Sequence, residues 1–210
     1  LLTIHRPSLG VRRTVGGPVE PGCAVLVATP HVVAAGPYEE LLRADHARLA
    51  RAEGDVPEDA AGWTPEVRVR EWEGLLEPGR HEPDGHALLE RAYWPDPREV
   101  DELGAEPLTG EAFAALPMTA ARLRQSARRG VQRLLSVGTV KVEGPFADPA
   151  IATIVQRSGM GVTGLGGRAA ELLPRLLEVA PVRNADFVIR AADGTCLATV
   201  LAGRLVFRRR

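Results

Sequence analysis

The apolar and polar positions divide this chain into strand-rich ends and a helical middle. Residues 1–4 and 11–15 read as short strands, the second closed by the turn signal Gly16-Gly17-Pro18. The apolar runs 23–28 and 32–35, parted by Thr29-Pro30-His31, predict a β-hairpin. A helix is predicted over 39–51, with Leu41, Leu42 and Leu49 apolar, then a loop over 54–65. Val67 and Val69 alternate with charged residues, which predicts a half-buried strand over 66–72. A helix over 87–93 follows, and prolines and acids make 94–116 irregular. The strongest amphipathic pattern runs over 119–135, with Thr119 as N-cap and Gly138 as its stop. Strand 139–142 comes next, then a helix capped by Asp148, opened by Pro149 and ending near Ser158. Residues 161–165 read as a short strand and 168–179 as a helix. A closing hairpin runs 185–191 and 196–207 around Asp193-Gly194, a favoured two-residue turn. A Gly203-Arg204 turn leaves 205–207 as a last strand.

The layout is strands, then helices with two or three strands, then strands again. That predicts an α+β fold. A final hairpin needs partner strands to bury its apolar face, so the two ends are expected to build one β-domain around an insertion.

Composition narrows the partners. Of 210 residues, 45% are hydrophobic and 25% charged, as in soluble globular domains, and the net charge is −1. Nothing in that balance draws the chain to nucleic acid or to an anionic membrane. No apolar run approaches the roughly 20 residues of a membrane span. The N-terminal residues lack the pattern of a signal peptide. Cys23 and Cys196 lie far apart in apolar strand runs, so reduced, inert thiols in a cytoplasmic protein are expected. Arg208, Arg209 and Arg210 read as a solvated tail.

The stretch with the most chemistry is Pro78-Gly79-Arg80-His81-Glu82-Pro83-Asp84-Gly85-His86. It resembles the motif that opens the barrel of metal-dependent amidohydrolases, approximately Pro-Gly-Leu-Val-Asn-Pro-His-Gly-His. There two histidines at i and i+2 share one face of a strand and reach one metal. Here the second position is His86 and the first is Asp84. Three further pieces, in the same order, resemble the imidazolonepropionase-like members of that superfamily. Residues 23–42 are similar to their hairpin into a helix. Leu134-Leu135 and Gly138-Thr139 are similar to "Leu-Leu-x-x-Gly-Thr-Thr". Residues 185–189 and 200–206 are similar to the closing strands "Ala-Asp-Leu-Val-Val" and "Val-x-x-Gly-Arg-Leu-Val".

The resemblance implies a composite β-sandwich from residues 1–78 and 181–210, with residues 79–180 as an inserted α/β remnant of the hydrolase (TIM-type) barrel. A full barrel takes about 200 to 250 residues, whereas about 100 lie between Pro78 and the closing strands, room for two or three βα units. The family's activity is metal-dependent hydrolysis of carbon–nitrogen bonds other than peptide bonds, in cyclic amides or amidines. Its later metal ligands include histidines, and none of the five histidines here lies after residue 86.

His81, Asp84 and His86 are therefore the candidate metal ligands. Zinc accepts imidazole and carboxylate, and three protein ligands suffice for a catalytic site. Against this, Arg80 opposes a cation, so a solvated turn without metal is the preferred reading, with zinc as the alternative. No catalytic residue is assigned, since no Ser-His-Asp or Cys-His grouping occurs. Gly164-Leu165-Gly166-Gly167-Arg168-Ala169 fits a phosphate-holding turn before a helix, a nucleotide-binding alternative; the plainer reading is a glycine-rich connector. The acids at 71–84 and 96–102 and the arginines at 122–133 read as solvated faces. Trp63, Trp72 and Trp94 read as core anchors. The expectation is a catalytically silent amidohydrolase-like protein that binds a small molecule or a partner subunit. A weak metal hydrolase completed in an oligomer is the alternative. Open barrel edges imply a homodimer, or a cover from the proline-rich segment 94–117 with Trp94 and Phe113 as plugs.

Overall fold

The computed structural model describes residues 2–43, 67–164 and 183–210. The chain divides into two compact units, Leu1–Pro78 with Ala170–Arg210, and Gly79–Ala169. The first unit opens with β1 (Leu2–Pro7), β2 (Gly10–Arg12), β3 (Val19–Glu20), β4 (Cys23–Ala28) and β5 (His31–Pro37). Helix α1 (Tyr38–Arg43), β6 (Val67–Trp72) and β7 (Leu75–Pro78) follow. The second unit holds β8 (Arg80–Glu82), α2 (Gly85–Glu90), α3 (Val100–Leu103) and α4 (Gly110–Ala114). It continues with α5 (Ala120–Ser136), β9 (Thr139–Glu143), α6 (Pro149–Ser158) and β10 (Gly161–Thr163). The first unit closes with β11 (Arg183–Asn184), β12 (Phe187–Arg190), β13 (Cys196–Leu201) and β14 (Arg204–Arg208). The fold is α+β.

The first unit has a five-stranded sheet in the order β11-β5-β4-β1-β6 and a six-stranded sheet in the order β14-β13-β12-β7-β2-β3. Both are mixed: β1 runs parallel to β6 and β2 to β7, and the other pairs are antiparallel. Cys23, Val25 and Val27 on one side of β4 join a buried cluster with Leu76, Phe187, Ile189, Ala198 and Val200 of the other sheet. Ala24, Leu26 and Ala28, on the opposite side, join a second cluster with Leu2, Ile4 and Leu41. Burial on both faces explains why β4 reads as an unbroken apolar run. The Glu77 carboxylate on β7 accepts from Arg190 on β12 at 2.8 Å and also pairs with Arg12 on β2. One acid thereby ties three neighbouring strands.

The Asp193-Gly194 turn forms between β12 and β13, with Gly194 at φ +83°. The last turn lies one residue earlier than predicted. Ala202 and Gly203 take φ +46° and +71°, and Arg204 already belongs to β14. Two successive positive φ values are what a tight hairpin turn requires. Arg208, Arg209 and Arg210 are exposed, as expected of a solvated tail, though the last strand runs one residue further than predicted. Arg208 ends β14 with its guanidinium 5.7 Å from the Trp72 ring centre, and the Arg209 amide donates to the Leu197 carbonyl. Most of the predicted helix 39–51, the loop 54–65 with Trp63, and the predicted helix 168–179 lie outside the described residues.

The second unit contains a three-stranded parallel sheet in the order β10-β9-β8. Helix α5 is capped as the sequence predicts, with Thr119 Oγ1 accepting from the Arg122 amide at 3.2 Å. Asp148 caps α6 through the Ala150 amide at 2.7 Å, and Pro149 opens it. The stripe Ala127, Val131, Leu134 and Leu135 of α5 is buried. Within the segment read as irregular, α3, α4 and a bridge between Tyr93 and Leu108 form. Nor are all the α5 arginines a solvated face. Arg122 and Arg129 stand 4.5 and 5.5 Å from the Tyr93 ring centre, and they bond Glu99 and Asp96. Among the described residues no helix is long and apolar enough to cross a membrane.

Gly130 is where α5 meets Trp94. A Cβ there would fall 2.5 Å from Trp94 Nε1 and 2.8 Å from Leu89 Cδ2. Alanine improves helix propensity by about 1 kcal/mol, while overpacking costs about 1 to 3 kcal/mol. Gly130→Ala is therefore expected to lower stability in urea unfolding. A gain would show that the Trp94 contact yields freely.

Candidate functional site

Strand β9 reads Thr139-Val140-Lys141-Val142-Glu143, a clean alternation. Val140 and Val142 are buried. Two glycines let the chain pass close to them: a Cβ at Gly79 would fall 2.1 Å from Val140 Cγ1, and one at Gly85 2.6 Å from Val142 Cβ. The opposite face is polar. Register sets His81 and Gly161 beside Lys141, and Thr163 beside Glu143. Laterally paired residues of parallel strands share a face. His81 Nε2 and Thr163 Oγ1 meet at 3.0 Å across the middle strand. His81, Lys141, Glu143 and Thr163 are all half-buried. This face leads to the carboxyl ends of parallel strands, where open α/β sheets bind ligands. Its side chains are an imidazole, an ammonium, a carboxylate and a hydroxyl, with the imidazole and hydroxyl bonded to each other.

The three residues predicted as metal ligands fall on two elements, His81 on β8 and Asp84 and His86 at the start of α2. Strand β8 stops at Glu82, so Asp84 and His86 do not share a strand face as the motif implied. Asp84 is the residue before α2 and makes no side-chain capping bond, and His86 lies in the first turn of α2. Pro83 has no amide hydrogen to continue the ladder, and Gly85 brings the chain against Val142. His86 is half-buried, with Nδ1 buried and without a hydrogen-bond partner. Only His81 stands on the polar face, engaged with Thr163. Glu82, at the motif's Asn position, is buried and held by Arg80 at 2.8 Å. Among the described residues no three His, Cys, Asp or Glu side chains converge to hold a metal ion. In the predicted phosphate turn, Gly164 is exposed and residues 165–169 lie outside the described residues.

Lys141, Glu143 and Thr163 were not singled out by sequence reading. The usable signal was the alternation over 139–143, which puts both valines on one side and both charges on the other.

Cys23 and Cys196 are free and buried. Burial, with the Glu20 carboxylate 3.6 Å away, pushes the Cys23 thiol up, which disfavours the nucleophilic thiolate. The Glu99 carboxyl is held below its usual range by the Tyr93 hydroxyl, the Asp96 amide and Arg122. His5 is buried; its Nδ1 accepts from Trp72 Nε1 at 3.2 Å, and its ring meets Phe187 edge-on at 4.9 Å. Burial, then the charge of Arg70, push its pKa down from 6.5 to about 3.

That depression has a direct consequence. Between pH 6.5 and about 3 the unfolded chain takes up a proton at His5 that the folded chain refuses. The stability His5 provides is complete above pH 6.5 and falls by about 1.4 kcal/mol per unit as the pH drops. Urea unfolding at pH 7 and pH 5 should show a drop about 2 kcal/mol larger for the wild type than for His5→Gln. Equal drops would remove His5 as the cause.

No protein-family model and no curated protein matches this sequence. Solved structures do show similarity. Aspergillus niger ochratoxinase is 14% identical with a TM-score of 0.42, the match covering 78% of this chain and 31% of that one. Escherichia coli guanine deaminase is 15% identical with a TM-score of 0.42, covering 78% and 35%. A zinc-bound adenosine deaminase from Xanthomonas campestris is 16% identical with a TM-score of 0.41, covering 76% and 32%. The match spans about a third of the length of each.

Proposed function

We propose that this chain is an amidohydrolase-like binding protein. It holds a small polar molecule, of the cyclic amide or amidine class, on the polar face of β8, β9 and β10 without hydrolysing it. The observation that carries this reading is the parting of the motif residues. His81 bonds Thr163 on that face, whereas Asp84 and His86 belong to the start of α2. What is left on the sheet is a set of hydrogen-bonding groups, suited to binding rather than to activating a metal-bound water. The same proposal takes Leu1–Pro78 with Ala170–Arg210 as a composite β-sandwich, and Gly79–Ala169 as a remnant of a hydrolase barrel. The buried cluster drawing on both sheets and the parallel sheet interleaved with helices support it. The free, buried thiols suit a reduced cytoplasmic setting.

Two measurements test it. The pure protein should bind a five-membered cyclic amide in calorimetry, with no turnover, and Thr163→Val should weaken that binding. Elemental analysis should find no stoichiometric zinc, iron or manganese. About one metal per chain, lost in His86→Ala, would overturn the reading in favour of a hydrolase.

A homodimer belongs to the proposal as well. Strand β10 is terminal in its sheet among the described residues, and Val162 on it is 52% exposed. Such edges are usually covered. Light scattering at micromolar concentration should give the mass of two chains. One chain's mass removes the dimer.

A further inference from the structure

The arginines of α5 fall into two groups. Arg122, Arg129 and Arg133 face carboxylates: Glu99 at 2.8 Å, Asp96 at 3.4 Å and Glu106 at 4.0 Å. Arg124 and Arg128 point the other way, toward α6. Together with Arg157 of α6 they line a groove of about 530 Å³ between the two helices. Among the described residues no Asp or Glu lines that groove. Arg124 and Arg128 stand one helical turn apart, where like charges repel. Arg157 adds a third positive charge across the groove. A guanidinium has donors only, in a fork that fits a carboxylate or phosphate. The walls between them are filled by Val131 and Ile154, and Gln132 adds an amide one turn beyond Arg128. The Thr153 hydroxyl is already donated to the Pro149 carbonyl, so the guanidiniums are the groove's main polar feature.

We propose that this groove binds a phosphorylated small molecule through Arg124, Arg128 and Arg157. The ligand bears two adjacent phosphates, one bridging the two arginines of α5 and the other meeting Arg157. A diphosphate brings at least two negative charges to three guanidiniums and offers oxygens in the paired geometry they prefer. The site lies on the helices, away from the polar face of the sheet, and stands independently of the binding reading given above.

The test uses the full chain and inorganic pyrophosphate as the probe, at constant ionic strength. Calorimetry should give saturable binding that weakens as salt is raised. Arg124→Gln with Arg128→Gln should weaken it by about a hundred-fold, since each lost charge-assisted bond is worth roughly ten-fold. Arg157→Gln alone should also weaken it. Arg204→Gln, on the other unit, serves as the charge-matched control and should leave binding unchanged. Circular dichroism confirms that each variant is folded, and Arg157→Gln keeps the test open if the double variant is not. Failure to bind pyrophosphate overturns the proposal, as does equal binding by all variants. Binding of an acidic peptide without binding of pyrophosphate overturns it too, in favour of a protein partner.

Discussion

Strand β7 is four residues long, and the six-stranded sheet depends on it. On one side it pairs with β2, near the start of the chain, and on the other with β12, near its end. Neither partner has another neighbour that could join the two halves of that sheet. Leu76 carries the apolar side of this seam, fully buried between Val11 and the hydrophobic face of the closing hairpin. Glu77 carries the polar side, held by Arg12 and Arg190 from the strands on either hand. Its carboxylate is largely shielded from water, so losing either arginine would leave a poorly solvated charge. The hairpin of β12 and β13 buries its apolar face only because β7 opens an edge to it and the second sheet covers that face.

The second unit is organised by a different contrast. Valines and charges alternate along β9, and this gives its sheet one dry face and one polar face. The dry face is closed tightly enough that Gly79 and Gly85 leave no room for a side chain. The helical layer is fixed in turn by Trp94 against Gly130 and by the two arginines at Tyr93. Acids and arginines that look like solvent-facing charge in the sequence become the fastening of the 93–99 segment to α5. Arg124 and Arg128, which this fastening does not use, line the groove beside α6.

The motif at 78–86 shows how a sequence pattern and its chemistry can part. The pattern survives where it serves the backbone: Gly79 and Gly85 are required by close approach to β9. Its ligand positions do not stay on the strand, because Pro83 ends the ladder and the helix begins two residues later. What persists is a polar sheet face that includes His81, a position outside the motif's metal pair.

Much of the local structure was legible because its causes are local. The Thr119 and Asp148 caps, Pro149 at a helix start and the Asp193-Gly194 turn each rest on the stereochemistry of a few consecutive residues. The doubly buried β4 was equally plain from its unbroken apolar run. The turn at Ala202-Gly203 was missed by one residue, since which pair takes positive φ depends on the register of β13 against β14. The site was less legible. Whether His81 faces Lys141 and Thr163, whether Glu82 is held by Arg80, and which arginines of α5 meet acids are long-range matters. They depend on which strands lie side by side and which helix face turns inward. The sequence alone determined many of the elements, their caps and the alternation along β9, but not β7, β8, α3 or α4. Only the tertiary structure decided which side chains share a face, because that is set by pairings between residues far apart in the chain.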